Sequence, residues 1–190
     1  MKWILLSLNI CIALAHFSAL AKDTPEETCK EAAKLYADGD LEGALEEAKW
    51  CVSQMEQEKQ QQVTKMFPDN IDGFVGEPLE QQGVMGFTVM SRTYKKGDTT
   101  VKVMLNGGTG GSALQAFSAI AQLGLQAGTG EKIRIQKRAA MVTQEGNQTK
   151  VIITMRSGGI LTFESAKMSS ENLANFAKKF PVSDLDDAIG

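Results

Sequence analysis

The sequence predicts an α+β fold: a disulfide-closed pair of antiparallel helices, followed by an antiparallel sheet of about five strands packed with two helices. Three observations predict it. Apolar residues recur at helical spacing over residues 24–67, strand-like alternation replaces that spacing after residue 83, and short polar turns separate the later segments. Because short turns join antiparallel neighbours, runs of strands with flanking helices favour α+β over a parallel α/β sheet.

The N-terminus is typical of a secretory signal peptide. Lys2 precedes an apolar run that begins at Trp3, and Ala19 and Ala21 supply the small residues of a cleavage site. The apolar run is short for a membrane span. We therefore expect residues 1–21 to be removed and the mature chain to act in the periplasm or outside the cell, without a transmembrane span.

Cleavage would remove the only histidine, His16, and one of the three cysteines, Cys11. Without Lys2, 19 of the 20 Lys and Arg residues remain against 23 Asp and Glu, a net charge near −4. A nucleic acid or an anionic membrane would require a basic face, so neither is expected as a partner. Without an imidazole or a spare thiol the usual pairs of base and nucleophile cannot form. We predict a protein that is not an enzyme, with no cofactor and no metal site.

Residues 22–67 are predicted to form a helical hairpin. Thr24 can cap a first helix, and residues 37–40 form a turn that contains glycine and two aspartates. The second helix is long, from residue 41 to residue 66, and Pro68 stops it.

Cys29 and Cys51 are predicted to form a disulfide. They lie eleven residues before and eleven residues after Asp40, in the turn. Because both helices rise by the same amount per residue, equal counts from the turn bring the two thiols to the same height. In an exported protein such a bridge is expected, and closing the loop typically contributes about 2–4 kcal/mol.

The hairpin resembles a single tetratricopeptide-type unit over about residues 28–52. The matching positions hold the small packing residues and the turn of that family: Ala32, Leu35 or Tyr36, Gly39, Asp40, Ala44 and Ala48. No second repeat follows, although such repeats normally need about three copies to bury a continuous core. The resemblance therefore implies that something else supports the hairpin, and the disulfide is the candidate.

The long second helix is the predicted partner surface. Its middle, residues 56–62, is polar and rich in glutamine. This pattern fits either a solvated helix face or a surface that a partner recognises. The residues assigned to the possible partner surface are Tyr36, Trp50, Gln54, Gln57 and Gln61.

A linker of residues 68–83 is predicted to lead into an α+β domain of residues 84–190. Its predicted strands cover residues 84–94, 99–105, 132–144, 149–155 and 160–165, and its predicted helices begin near residues 112 and 170. This order loosely resembles secreted α-β-α sandwich domains of the PsbP and Mog1 kind, in architecture only. A basic cluster on residues 132–138 and an acidic tail on residues 184–187 are both expected to be exposed.

An uncharged helix at residues 112–127 follows the glycine turn Gly107–Gly111, whose pattern fits a flexible connection, an anion site or a mobile gate. The helix is apolar around most of its circumference and must be covered. Packing in a core explains this pattern, and a cavity for an apolar ligand is the alternative. The residues of the possible apolar pocket are Leu114, Phe117, Ile120 and Leu123.

Two functions follow from these patterns. The leading prediction is an exported, non-catalytic protein that binds another protein, such as an adaptor, an inhibitor or an immunity-type protein. The alternative is a carrier of an apolar small molecule or lipid in a cavity under the helix at residues 112–127.

Overall fold

The computed structural model describes residues 24–84, 87–107 and 130–190. The chain divides into two compact units, Met1–Cys51 and Val52–Gly190. The expected signal segment, residues 1–21, and the expected uncharged helix, residues 112–127, lie outside the described residues. Both stay predictions.

The predicted helical hairpin is confirmed. Helix α1 spans Pro25–Ala37 and helix α2 spans Leu41–Lys65. Thr24 caps α1 reciprocally: its hydroxyl accepts from the Glu27 N–H at 3.3 Å, and the Glu27 carboxylate accepts from the Thr24 N–H at 3.0 Å. The hydrogen bond from the Thr24 N–H lowers the pKa of the Glu27 carboxyl. Gly39 adopts φ 86° in the turn, a conformation that glycine tolerates without strain.

The predicted disulfide between Cys29 and Cys51 is also confirmed, with a Cα–Cα distance of 5.1 Å. Among the described residues of the first unit, the buried apolar side chains are few and small: Ala32, Ala44 and Cys51. So small an interior contributes little hydrophobic stabilisation. The covalent bridge therefore provides a constraint that packing alone would not.

The second unit confirms the α+β class, and its sheet is larger than predicted. The described residues form nine strands, ordered β1-β2-β4-β5-β9-β8-β7-β6, with β3 also paired to β4. Every pairing is antiparallel. The strands are β1 Asn70–Ile71, β2 Phe74–Gly76, β3 Glu80–Val84, β4 Phe87–Lys96, β5 Thr99–Gly107, β6 Glu131–Ile135, β7 Arg138–Glu145, β8 Gln148–Thr154 and β9 Ile160–Ser165. Two helices follow, α3 Ser170–Lys179 and α4 Val182–Ile189.

Part of the larger sheet comes from residues 68–83, which were expected to be a linker but contain β1, β2 and most of β3. Arg92 of β4 anchors this segment. Its guanidinium donates to the carbonyl oxygens of Glu77 and Phe67, both at 2.7 Å, and pairs with Asp69 at 2.6 Å. These strands are held by the side chain of Arg92, which lies outside residues 68–83. The local sequence pattern of residues 68–83 therefore did not indicate them.

The single strand predicted at residues 132–144 is two strands. β6 and β7 are joined by Gln136 and Lys137, whose φ angles are 48° and 66°. Two-residue hairpin turns with positive φ at both positions usually contain glycine or asparagine. Here neither is present, so residues 136 and 137 carry no turn signal.

The sheet buries one face against α3. Val101, Val103 and Leu105 of β5 are buried in alternation with more exposed neighbours, as predicted. α3 packs on β7, β8 and β9, and the Phe176 ring makes edge-on contacts with Tyr94 and Phe163 at centroid distances of 5.7 and 6.2 Å. The C-terminal end of α2 joins this core through Val63, Phe67 and neighbouring apolar residues.

Removing the disulfide should destabilise the hairpin. In the double variant Cys29→Ser/Cys51→Ser we expect a loss of about 3 kcal/mol, because the unfolded chain regains the freedom of a loop of 22 residues. Thermal melting followed by circular dichroism at 222 nm measures it. The wild type with and without reductant is the control, and unchanged melting in both comparisons would contradict the assigned role.

Replacing Lys137 by glycine should stabilise the second unit. The left-handed conformation costs a residue with a Cβ about 1–2 kcal/mol, while glycine adds entropy to the unfolded chain, so the expected gain is about 0.5–1 kcal/mol. Urea unfolding measures the change. The matched control is Lys102→Gly in the extended strand β5, which should destabilise by about 0.5–1 kcal/mol. The same sign in both variants would show that the turn is not strained.

Candidate functional site

Exposed apolar side chains concentrate on the two N-terminal helices. Among the described residues, seven large hydrophobic side chains are exposed, and only Val75 lies outside α1 and α2. The others are Tyr36, Leu41, Leu45, Trp50, Val52 and Met55. Single exposed apolar residues are common on protein surfaces, but their concentration on α1 and α2 is typical of a contact surface.

Three residues of α2 form a row within the first unit. Leu41 and Leu45 are 59% and 54% exposed, and the partly buried Ala48 follows three residues later. Residues spaced by three and four lie on one helix face. We call Leu41, Leu45 and Ala48 the α2 row. Trp50 is also exposed but lies about 140° around the helix from Leu45, on another face.

The predicted partner residues are divided between the two units. Tyr36 and Trp50 are 69% and 52% exposed in the first unit, and Gln57 and Gln61 are exposed on the part of α2 that belongs to the second unit. Gln54 is only 5% exposed, because its position on the helix faces inward. It is therefore not accessible to a partner. Sequence reasoning missed Leu41 and Leu45, because apolar residues at helical spacing give the same pattern whether they are buried or exposed.

The predicted apolar pocket lies outside the described residues, as Leu114, Phe117, Ile120 and Leu123 all do. Of the predicted glycine turn, Gly107 ends β5 and the other residues lie outside the described part. The carrier function therefore stays a prediction.

The described ranges contain neither a cluster of metal ligands nor a membrane-spanning helix. There, no group of three or more His, Cys, Asp or Glu side chains is arranged to hold a metal ion. No helix in those ranges is long and apolar enough to cross a membrane.

A buried ion pair joins α4 to the sheet. The Arg138 guanidinium donates to the Asp186 carboxylate at 2.8 Å, and the two residues are 5% and 2% exposed. The same carboxylate accepts from the backbone N–H groups of Arg156 and Ser157 at 3.0 and 2.9 Å. Arg138 also donates to the Ser183 hydroxyl at 2.8 Å. These bonds fix the C-terminal helix rather than presenting a reactive group.

The ionisation of Asp186 is coupled to this network. Burial raises the pKa of the Asp186 carboxyl, but hydrogen bonds from Ser157, Arg156 and Arg138 lower it by more. The pKa therefore lies below its usual value, and the carboxyl stays charged.

Two expectations about exposed charges are wrong at this point. Arg138, predicted in an exposed basic cluster, is buried, and so is Asp186, predicted in a solvated acidic tail. A sequence signal existed: Val182, Leu185 and Ile189 form an apolar helix face, and Asp186 lies within it. A carboxylate on an apolar face indicates a buried partner.

Two other pKa shifts arise from local contacts in the second unit. Burial raises the pKa of Tyr94 to about 12, and its hydroxyl donates to the Pro68 carbonyl oxygen at 3.0 Å. A hydrogen bond from Lys179 at 2.5 Å lowers the pKa of Asp72. Both groups fasten the segment of β1 and β2 and leave no free acid or base there.

Comparison with known proteins identifies no family for the chain. No family model matches it, and no curated protein or solved structure matches it significantly. The resemblances to a tetratricopeptide unit and to α-β-α sandwiches therefore stay predictions. Function has to be inferred from the surface and charges of the chain itself.

The Asp186 ion pair predicts acid sensitivity. A carboxyl whose pKa is lowered by folding stabilises the protein above the pKa of the unfolded chain, about 3.9, and this stability is lost as the pH falls through the lower folded pKa. The variant Asp186→Asn leaves the Arg138 charge buried without its partner, so we expect a loss of about 3–5 kcal/mol at pH 7. Urea unfolding between pH 7 and pH 2 measures both effects.

The matched control is Asp187→Asn. Asp187 pairs with the same guanidinium at 3.4 Å, but its side chain is 76% exposed. Exposed pairs contribute about 0–1 kcal/mol, so this variant should remain close to the wild type. Equal losses in the two variants would contradict the importance of burial.

Proposed function

We propose that this is an exported, non-catalytic protein that acts by binding another protein through its helical hairpin. The observation that carries the proposal is the set of four large apolar side chains exposed on residues 24–51, the described part of the first unit: Tyr36, Leu41, Leu45 and Trp50. Protein interfaces are enriched in aromatic anchors such as tyrosine and tryptophan. Adaptors, inhibitors and immunity-type proteins all act in this way.

The covalent constraint supports the same proposal. A disulfide-closed hairpin holds its exposed side chains in place before a partner arrives, so less conformational entropy is lost on association. A persistent disulfide also fits an oxidising compartment, as does the signal-like N-terminus. These two features are the support for export.

The composition supports a binding role over catalysis. The one histidine of the sequence, His16, lies in the expected signal peptide, and two of the three cysteines form the disulfide. In the described residues the buried charges Arg138 and Asp186 bond to each other and to the backbone. A role in binding requires neither an imidazole nor a free thiol.

The decisive experiment changes the α2 row. In the double variant Leu41→Glu/Leu45→Glu, two apolar contacts become charges at exposed helix positions that tolerate glutamate. Burying a leucine contributes about 1.5–3 kcal/mol, so a partner that covers both should be retained at least about tenfold less. The immobilised mature chain is incubated with an envelope extract of its source cells, and retained proteins are quantified by mass spectrometry.

The matched control is Val75→Glu, which introduces a charge at a position that is 59% exposed in β2. Circular dichroism should show that both proteins fold. A protein retained by the wild type and by the control, but lost with the double variant, supports the proposal. The same set of proteins retained by all three refutes it.

A further inference from the structure

The hairpin carries most of the negative charge of the protein. Residues 24–51 contain eight acidic and three basic residues, a net charge of −5, whereas residues 52–190 contain fourteen acidic and fifteen basic residues, a net charge of +1. The surface that exposes apolar side chains is thus also the acidic part of the chain. A partner that covers it has to match both properties.

Among the described residues, ion pairs engage both lysines of α1 but not the carboxylates of Asp38 in the turn and of the first two turns of α2. Lys30 pairs with Glu26 at 2.5 Å, and Lys34 pairs with Glu31 at 3.3 Å. In the described chain no ion pair engages Asp38, Glu42, Glu46 or Glu47. These carboxylates are available to positive charges of a partner.

The free carboxylates flank the α2 row. Glu42 and Glu46 each follow a leucine of the row by one position, so they form a parallel line beside Leu41 and Leu45. Lys49 continues that line as its one basic residue. Like charges four residues apart destabilise a helix. A positive partner would relieve that repulsion, whereas a second copy of the hairpin would add to it.

We propose that the α2 row binds a basic amphipathic segment of another protein, with apolar side chains against Leu41 and Leu45 and Lys or Arg side chains against Glu42 and Glu46. This inference rests on the proposed function and specifies the chemistry of the partner. Amphipathic segments commonly bind through anchors spaced by three and four residues, the spacing that the row itself presents. The charged flank then sets orientation and excludes acidic competitors.

The test uses three synthetic peptides of about eighteen residues, about five helical turns. The first has leucines on one helix face and lysines on the flanks, the second has glutamates in place of the lysines, and the third is a scrambled form of the first without an apolar face. Binding to the full mature chain is measured by fluorescence anisotropy. The basic amphipathic peptide should bind about tenfold or more tightly than either of the others, and its affinity should fall as salt increases.

The variant Glu42→Lys/Glu46→Lys tests the charged flank. It should weaken binding of the basic peptide about tenfold or more and strengthen binding of the acidic one. The matched control, Asp98→Lys/Glu145→Lys, makes the same change in net charge at two exposed positions of the second unit and should change affinity less than about threefold. Equal effects of the two variants would show that the attraction depends on net charge alone and not on the position of Glu42 and Glu46. That result would overturn the inference.

Further outcomes separate the inference from the proposed function. If the basic and acidic peptides bind equally, or if neither binds, the inference fails. The proposed function nevertheless stands if the envelope partner is lost with Leu41→Glu/Leu45→Glu and retained with Glu42→Lys/Glu46→Lys. A wild-type dimer in analytical ultracentrifugation that the leucine variant abolishes would instead identify a second copy as the occupant, and would overturn the inference.

Discussion

The disulfide between Cys29 and Cys51 is the constraint on which the first unit depends. Where the structure describes that unit, residues 24–51, its buried apolar residues are small, so their burial provides little stability, and the covalent bridge limits the unfolded ensemble instead. Because the bridge does not require a large core, the hairpin can leave Tyr36, Leu41 and Leu45 outside. Without the bridge, these apolar side chains would have to be buried to stabilise the hairpin and could not remain exposed.

The described part of the second unit has a large core, formed by nine strands and two helices. Near the turn between β6 and β7, backbone strain has to be offset by other contacts. Gln136 has a positive φ, yet its side-chain amide donates to the carbonyl oxygens of Lys178 and Phe180 at 3.1 and 2.7 Å. The same amide accepts from the Ser183 N–H at 2.7 Å. One side chain thus satisfies backbone groups where α3 ends and α4 begins, which offsets the strain of the turn.

The distribution of charge connects the two units to function. The acidic excess belongs to the hairpin, whereas the rest of the chain is close to neutral and pairs its buried charges internally, as Arg138 and Asp186 do. The buried pair of Arg138 and Asp186 fixes local structure, whereas the exposed carboxylates beside the α2 row are the groups that the proposed basic partner would contact. Solvent exposure separates the carboxylates that are paired within the protein from those that remain accessible.

The sequence by itself determined the elements that depend on local pattern: the α+β class, the two helices with their turn, the pairing of Cys29 with Cys51, and the alternation along β5. These elements could be predicted because the spacing of apolar residues, the capping residues and the distances of the cysteines from the turn are all local properties of the sequence. Only the tertiary structure decided that residues 68–83 join the sheet, that Asp186 is buried, and that Leu41 and Leu45 are exposed. These outcomes depend on contacts between residues that are distant in the sequence. An apolar helix face also has the same sequence pattern whether it is buried in the protein or exposed on the surface.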